Sequence, residues 1–155
     1  MSENIALTRA RLKTPKAAAI AAVAPGANRY PGVLIGELMT TVAIKYAVPE
    51  DMVLLSGGSG DLINAIVKAY TGKTSPLVTG LPSYEQPTRS SQRGGATVIE
   101  VPLTPALKLD LKAMAAKVNG AGLVYVYNPN NPTSTALPAT EVTAFVDAVV
   151  AASPT

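Results

Sequence analysis

Three short segments place glycine, aromatic or amide residues directly after apolar runs of the chain. The glycine-rich turn SGGSGDL spans residues 56–62, Tyr84 lies in LPSYEQP (81–87), and Asn131 lies in YNPNNPT (127–133). In open α/β sheets, ligands bind beyond the carboxyl ends of the strands, which lie at one edge when the strands are parallel. The three segments therefore predict one site, formed by a backbone turn, an aromatic ring and an amide.

The glycine-rich turn has the composition of a phosphate-binding loop. Consecutive glycines let backbone N–H groups approach a ligand closely, and a following helix adds unpaired donors with a favourable dipole. A tight strand-to-helix connection has the same composition, and the turn alone does not decide between the two. Two named motifs are excluded: Ile63 replaces the third glycine of the dinucleotide fingerprint, and Val67 replaces the first glycine of a P-loop ending in GKT (72–74).

Tyr84 and Asn131 each have a functional and an ordinary interpretation. The Tyr84 ring could stack on a planar ligand, or it could pack on the domain surface. Asn131 is held between two prolines, and a rigid amide there could bond to a ligand oxygen. In an ordinary Asn-Pro turn the Asn side chain bonds its own backbone, and for this segment taken alone that interpretation is favoured.

The composition limits the chemistry that the chain could perform. Its 155 residues are 48% hydrophobic and 15% charged, which is typical of one globular domain and not of a disordered chain. The absence of Cys and His excludes disulfides, thiol chemistry, histidine-dependent triads and the usual zinc ligands, and we expect no metal. A net charge of +3 with scattered Lys and Arg gives no reason to expect a nucleic-acid partner.

The amino-terminal region has two interpretations. Basic residues followed by AAAIAAVAPGA have the pattern of a signal peptide, but the apolar part is mostly Ala. Thr14 and Pro15 are typical of a helix start, so we favour a helix over residues 15–24. No apolar run reaches the roughly 18 residues of a membrane span. We therefore expect a cytoplasmic protein with no membrane partner.

Apolar runs alternate with helical patterns along the chain. This alternation predicts a three-layer α/β/α fold with a mostly parallel sheet. The chain ends directly after a predicted helix, where a further strand is expected, so we expect residues 1–32 to form a helix and arm and residues 33–155 a partial domain. Predicted strands cover 52–56, 75–80, 96–103 and 122–127. Predicted helices cover 15–24, 33–47, 62–70, 111–118 and the residues that follow Pro138.

Several segments, in this order and at this spacing, resemble a known family. NRYPG (28–32), VLLSGGSGDLINAIVKAY (53–70), GLPSYEQP (80–87) and VYVYNPNNPTS (124–134) are similar to the amino-terminal half of pyridoxal-phosphate-dependent aminotransferases of classes I and II. Within these, the sequence most resembles the histidinol-phosphate aminotransferase group. The resemblance spans nearly the whole chain. It implies part of a fold type I large domain, with pyridoxal 5'-phosphate as cofactor.

The resemblance also implies an activity and the residues that bind the cofactor. The activity would be transfer of an amino group between an amino acid, histidinol phosphate among the candidates, and a 2-oxo acid, by a homodimer in the full-length enzyme. The cofactor-binding residues would be Gly58, Ser59 and Gly60 at the phosphate, Tyr84 stacked on the pyridine ring, Asn131 at the phenolic oxygen, and Tyr30 at the phosphate of a neighbouring subunit.

The chain departs from the family pattern at three places. Ser134 replaces the glycine of the family's NPTG, and Gly60 precedes Asp61 where the family has an acidic residue directly after the serine. The family's cofactor-binding Lys, its pyridine-nitrogen Asp and its substrate-binding Arg would all lie beyond residue 155, so no catalytic residue is assigned. The alternatives are a decarboxylase of the same fold, a non-catalytic fragment, and a nucleotide-binding α/β module.

Overall fold

The computed structural model describes residues 15–23, 28, 30 and 32–152. The chain divides into two compact units, Met1–Leu55 and Ser56–Thr155. Most of the predicted amino-terminal arm (1–32) lies outside the described residues, as does Ala24 at the end of the predicted first helix. Among the described residues, no helix is both long and apolar enough to cross a membrane.

The described residues of the first unit are mainly helical. Helix α1 is Pro15–Val23 and helix α2 is Val33–Tyr46, which confirms both helix predictions apart from the last residue of each. Helix α2 ends at Ala47, whose left-handed backbone (φ 53°) turns its N–H onto carbonyl groups of the last turn. A short 3₁₀ helix, Glu50–Met52, follows.

The prediction of a strand over residues 52–56 is wrong. Met52 belongs to the 3₁₀ helix, and residues 53–56 form no strand. A strand requires a partner, and within the described residues the sheet contains only three strands from the second unit. Within this run only Val53 is buried, whereas Met52 and Leu54 are exposed, so the apolar run indicated neither a strand nor a buried segment.

The second unit contains a parallel sheet with helices between its strands, as predicted. The sheet order is β2-β1-β3, and Leu77 in the central strand pairs with Val98 on one side and Leu123 on the other. The strands are β1 (Leu77–Leu81), β2 (Val98–Pro102) and β3 (Leu123–Tyr125). The helices are α3 (Ser59–Tyr70), α4 (Gln86–Arg93), α5 (Leu111–Ala115) and α6 (Ala139–Ala152).

The main core lies between one face of the sheet and helices α5 and α6. Val78 and Val101 project from the sheet against Met114 of α5 and Phe145 of α6, and all four are almost fully buried. Asp110 caps α5 by accepting a hydrogen bond of 2.9 Å from the backbone N–H of Ala113. This packing holds the sheet in place. The loops that follow β1 and β3 form its carboxyl edge.

Helix α4 was not predicted from the sequence. Its residues, QPTRSSQR, carry no apolar periodicity, and the available signal was a proline in the first turn. Pro87 and Ser91 are buried against the rest of the unit, whereas the Glu85–Arg89 ion pair (2.7 Å) is exposed and stabilises the helix little. The segment after β1 is therefore a helix start rather than a simple loop.

Predicted element ends differ from the observed ones by a few residues. Strand β3 stops at Tyr125 because it pairs with β1 only from Leu77 to Thr79. Helix α5 stops at Ala115, before the predicted end at residue 118. The remaining strands are β1 at 77–81 against a prediction of 75–80, and β2 at 98–102 against 96–103.

Candidate functional site

The glycine turn leads directly into helix α3. Gly58 precedes the first helical residue with φ 156° and ψ 166°, a conformation that essentially only glycine adopts. The Ser56 hydroxyl closes the turn, donating to the Gly58 carbonyl at 2.6 Å. No side chain caps the helix, and Ser59 is exposed. The first N–H groups of α3 are thus available to an anion.

Tyr84 lies just past the carboxyl end of β1 and is joined to the glycine turn by one side chain. The Tyr84 hydroxyl donates to Oε1 of Gln86 at 2.8 Å, and Nε2 of Gln86 donates to the Gly60 carbonyl at 2.9 Å. Tyr84 is 40% exposed, so a ligand could reach its ring. The Gln86 side chain therefore joins the Tyr84 ring to the start of α3.

The loop after β3 is held by two of its three asparagines. Asn128 exchanges two hydrogen bonds with the backbone of Leu137, at 2.8 and 3.0 Å. Asn130 is 2% exposed, and its Nδ2 donates to the Pro82 carbonyl at 3.1 Å and to the Thr133 hydroxyl at 2.9 Å. Unlike the side chains of an ordinary Asn-Pro turn, Asn128 and Asn130 bond residues outside their own turn, and both stabilise the loop.

Asn131 differs from its neighbours. Its side chain is exposed and has no hydrogen bond to the described residues. Because Asn128 and Asn130 fix the backbone of this loop, Asn131 lies at the carboxyl edge of the sheet, and its amide bonds no described residue. The ligand-binding interpretation is thus available to Asn131. The sequence did not reveal Asn130, since the repeated Asn-Pro pattern does not show which amide is buried.

Two further tyrosines continue from Tyr84 in a series of ring contacts. The rings of Tyr84 and Tyr127 meet nearly edge to face, with centroids 5.9 Å apart and an interplanar angle of 83°. The Tyr125 ring lies 4.5 Å from that of Tyr127. Burial, reinforced by Tyr125 and Tyr84, raises the pKa of the Tyr127 phenol far above its usual value. The Tyr127 phenol therefore stays protonated in the folded chain, and its ring packs against that of Tyr84.

The predicted site residues of the second unit lie at one end of the sheet. Tyr84 and Asn131 follow parallel strands, and Gln86 connects Gly60 to Tyr84. A cavity of about 250 Å³ beside Tyr84 is lined by Glu85, Gln86, Arg89 and Arg93, and not by the glycine turn or Asn131. Tyr30 belongs to the first unit, where its side chain is 99% exposed.

Comparison with known proteins identifies the family to which this chain belongs. A family model, "Aminotransferase class I and II", matches residues 1–153. The chain therefore belongs to the class I and II aminotransferase family, whose members depend on pyridoxal phosphate.

Individual relatives agree with this assignment. The chain is 39% identical over 132 residues to an aromatic amino acid aminotransferase of Thermobifida fusca, a match that covers 84% of this chain and 36% of the relative. It is similar to a structure from Erwinia carotovora assigned as a histidinol-phosphate aminotransferase (TM-score 0.79, 29% identity, 86% of this chain and 40% of that one). It is also similar to the Sinorhizobium meliloti histidinol-phosphate aminotransferase in complex with pyridoxal-5'-phosphate (TM-score 0.68, 28% identity, 73% and 31%). The chain spans about a third of the length of the curated relatives it matches.

The residues present fit part of a pyridoxal phosphate site. The uncapped start of α3 suits a phosphate, the accessible Tyr84 ring suits a pyridine ring, and the unused Asn131 amide suits a ring oxygen. Among the described residues, no group of three or more acidic side chains is placed to hold a metal ion.

Proposed function

We propose that this chain forms the phosphate- and ring-binding part of an aminotransferase that moves an amino group between an amino acid and a 2-oxo acid. The observation that carries the proposal is the connection between the uncapped start of α3 and the Tyr84 ring through Gln86, at the sheet edge where Asn131 has a free amide. A phosphate group and an aromatic ring could be bound there by neighbouring parts of one surface.

Each residue has a limited role in this proposal. The N–H groups of Ser59 and Gly60 would bind the phosphate, following Gly58, whose own N–H donates to the Ser56 hydroxyl at 3.3 Å. Tyr84 would stack on the ring, and Asn131 would donate to the ring oxygen. The cofactor supplies the electron-withdrawing chemistry when bound. These side chains would orient it, while the Tyr127 ring packs against that of Tyr84. In a homodimer, Tyr30 would reach the phosphate site of the neighbouring subunit.

The substrate class is part of the proposal. The names of the relatives support an aromatic amino acid or histidinol phosphate as the amino donor. The proposal also includes a location in the cytoplasm. It divides the chain into an arm (1–32) and a partial large domain (33–155). The alternatives are a decarboxylase of the same fold and a fragment without catalytic activity.

Titration of the purified chain with pyridoxal phosphate tests the cofactor site. We expect saturable binding, measured by equilibrium dialysis. Replacing Tyr84 by Ala removes the stacking surface and should weaken binding about tenfold. Tyr70→Ala, at another exposed tyrosine of the same unit, is the matched control and should leave binding unchanged. Equal affinity for the wild type and the Tyr84 variant would exclude Tyr84 from the site.

Covalent labelling separates this partial site from a complete active site. No Lys of this chain lies at a position that matches the family's cofactor-binding Lys. Borohydride reduction of the mixture, followed by mass spectrometry, should therefore show only scattered surface labelling. Stoichiometric labelling of one Lys would contradict this and would indicate that the chain holds the cofactor covalently by itself.

A further inference from the structure

The Gln86 side chain uses both ends of its amide between two segments of the candidate site. Its Oε1 accepts from the Tyr84 hydroxyl at 2.8 Å, and its Nε2 donates to the Gly60 carbonyl at 2.9 Å. Nε2 also lies 3.5 Å from Oδ1 of Asn64, one turn further along α3. Gln86 is itself in the first turn of α4. One side chain thus links the aromatic ring to the helix start across 26 residues of sequence.

The chain leaves space for this contact at Gly60. A Cβ built on Gly60 would lie 3.1 Å from Nε2 of Gln86, closer than most Cβ contacts in proteins. Glycine at this position therefore lets the Gln86 amide approach the helix backbone. Gly60 therefore contributes to the site through its N–H group and also because it has no Cβ.

We propose that Gln86 is a positioning residue that holds the Tyr84 ring in a fixed orientation relative to the N–H groups of Ser59 and Gly60 at the start of α3. This inference rests on the proposed function. A ligand that carries a phosphate on an aromatic ring contacts both segments at once, so its affinity depends on their relative placement. A ligand that contacts only the turn, such as inorganic phosphate, does not depend on Gln86.

The chemistry of the bridge requires an amide. Glu at this position keeps an acceptor for the Tyr84 hydroxyl but loses the donor to Gly60, and it places a negative charge beside a carbonyl oxygen and an incoming phosphate. Leu loses both hydrogen bonds while keeping a similar volume. Phe at position 84 keeps the stacking ring and removes only the hydroxyl donor.

A double-mutant cycle tests the bridge. Dissociation constants for pyridoxal phosphate are measured for the wild type, Tyr84→Phe, Gln86→Leu and the double variant. Loss of one hydrogen bond corresponds to about a fivefold change, so we expect Tyr84→Phe to bind roughly fivefold more weakly and Gln86→Leu, which loses two, to bind at least that much more weakly. The double variant should bind no more weakly than Gln86→Leu alone. Strictly additive effects would overturn the proposal.

Inorganic phosphate separates positioning from folding of the turn. Gln86→Leu should leave phosphate affinity unchanged while weakening pyridoxal phosphate, and Gln86→Glu should weaken both. Equal losses for both ligands in Gln86→Leu would show that Gln86 only folds the turn. Gln92→Leu, at an exposed position of α4, is the matched control.

The same cycle in urea unfolding of the ligand-free chain separates the inference from the proposed function. Coupling between positions 84 and 86 without any pyridoxal phosphate binding would reject the proposed function and leave the bridge standing. Absence of coupling in the free chain would reject the bridge, whether or not the cofactor binds.

Discussion

The Ser83 hydroxyl lies 2.6 Å from Oδ1 of Asn130, although the two residues are 47 positions apart in sequence. Ser83 belongs to the loop after β1, and Asn130 belongs to the loop after β3. Because Asn130 also donates to the Pro82 carbonyl, the two loops are joined by a donor and an acceptor of one buried amide. The carboxyl edge of the sheet is therefore fixed by the protein before any ligand binds.

Two adjacent asparagines should give opposite results on substitution. Asn130→Ala leaves the Ser83 hydroxyl and the Pro82 carbonyl without their partner, and we expect a loss of about 2 kcal/mol in the free energy of unfolding. Asn131→Ala should change stability by less than about 0.5 kcal/mol, since its side chain is exposed, but should weaken pyridoxal phosphate binding. Urea unfolding and equilibrium dialysis measure the two effects. If Asn131→Ala lowered stability and Asn130→Ala only weakened binding, Asn131 would have the structural role and Asn130 the ligand-binding role.

Gly80, in the central strand, should not tolerate a side chain. A Cβ there would overlap Cδ2 of Leu109 and would lie 3.3 Å from both Leu103 and Ser83. We expect Gly80→Ala to lower the free energy of unfolding by about 1–3 kcal/mol through overpacking. Gly72→Ala, whose Cβ would meet only the Ser75 hydroxyl at 3.4 Å, is the control. If the cause is steric, adding Leu109→Ala should make the Gly80 substitution less costly than it is in the wild type.

Tyr127 should make the chain sensitive to alkaline pH. Burial raises its pKa in the folded state, whereas in the unfolded chain a tyrosine titrates near about 10. Its contribution to stability is therefore fully present below about pH 10 and falls as the pH rises further, by up to roughly 1.4 kcal/mol per pH unit. In the Tyr127→Phe variant this fall should be absent. Between pH 7 and 9 the free energies of unfolding of the variant and the wild type should change in parallel. Parallel unfolding curves above pH 10 would contradict the prediction.

The free edge of β3 should cause self-association with a second copy of the chain. Within the described residues β3 pairs with β1 alone, and two adjoining cavities of about 450 and 480 Å³ along its free edge are lined by uncharged residues. Unpaired edges without charged side chains tend to associate. Val150 of α6 lines this edge and is 66% exposed, so Val150→Lys should shift sedimentation towards the monomer.

Ala148→Lys is the matched control for the edge, since it adds the same charge at an exposed position of α6 that does not line these cavities. It should leave the association unchanged. A wild-type chain that sediments as a clean monomer would contradict the prediction outright.

The sequence predicted the parts of the fold that depend on local periodicity. The 3.6-residue spacing of Leu62, Ile63 and Val67 gave helix α3, and the apolar runs gave the three paired strands. It failed at residues 52–56, where an apolar run has no partner strand, and at α4, whose stability comes from tertiary burial of Pro87 and Ser91. Pairing and burial are properties of the folded chain, and neither can be read from a window of ten residues.

The residues of the candidate site also fall into predicted and unpredicted groups. The sequence indicated Tyr84 and Asn131 because each follows an apolar run, and the structure places both at the carboxyl edge. It did not indicate Gln86 or Asn130, whose importance depends on partners 26 and 47 residues away. Long-range hydrogen bonds of this kind have no local signal.

The order of the strands has a consequence for the nascent chain on the ribosome. The central strand β1 is synthesised first, and β2 and β3 then add to its two sides. At translation rates of about 5–20 residues per second, the segment from Leu77 to Tyr125 is made within roughly ten seconds. The pairing of this sheet can be completed as soon as Tyr125 leaves the exit tunnel. Translation would thus build the sheet outward from its centre, with β1 available before either of its neighbours.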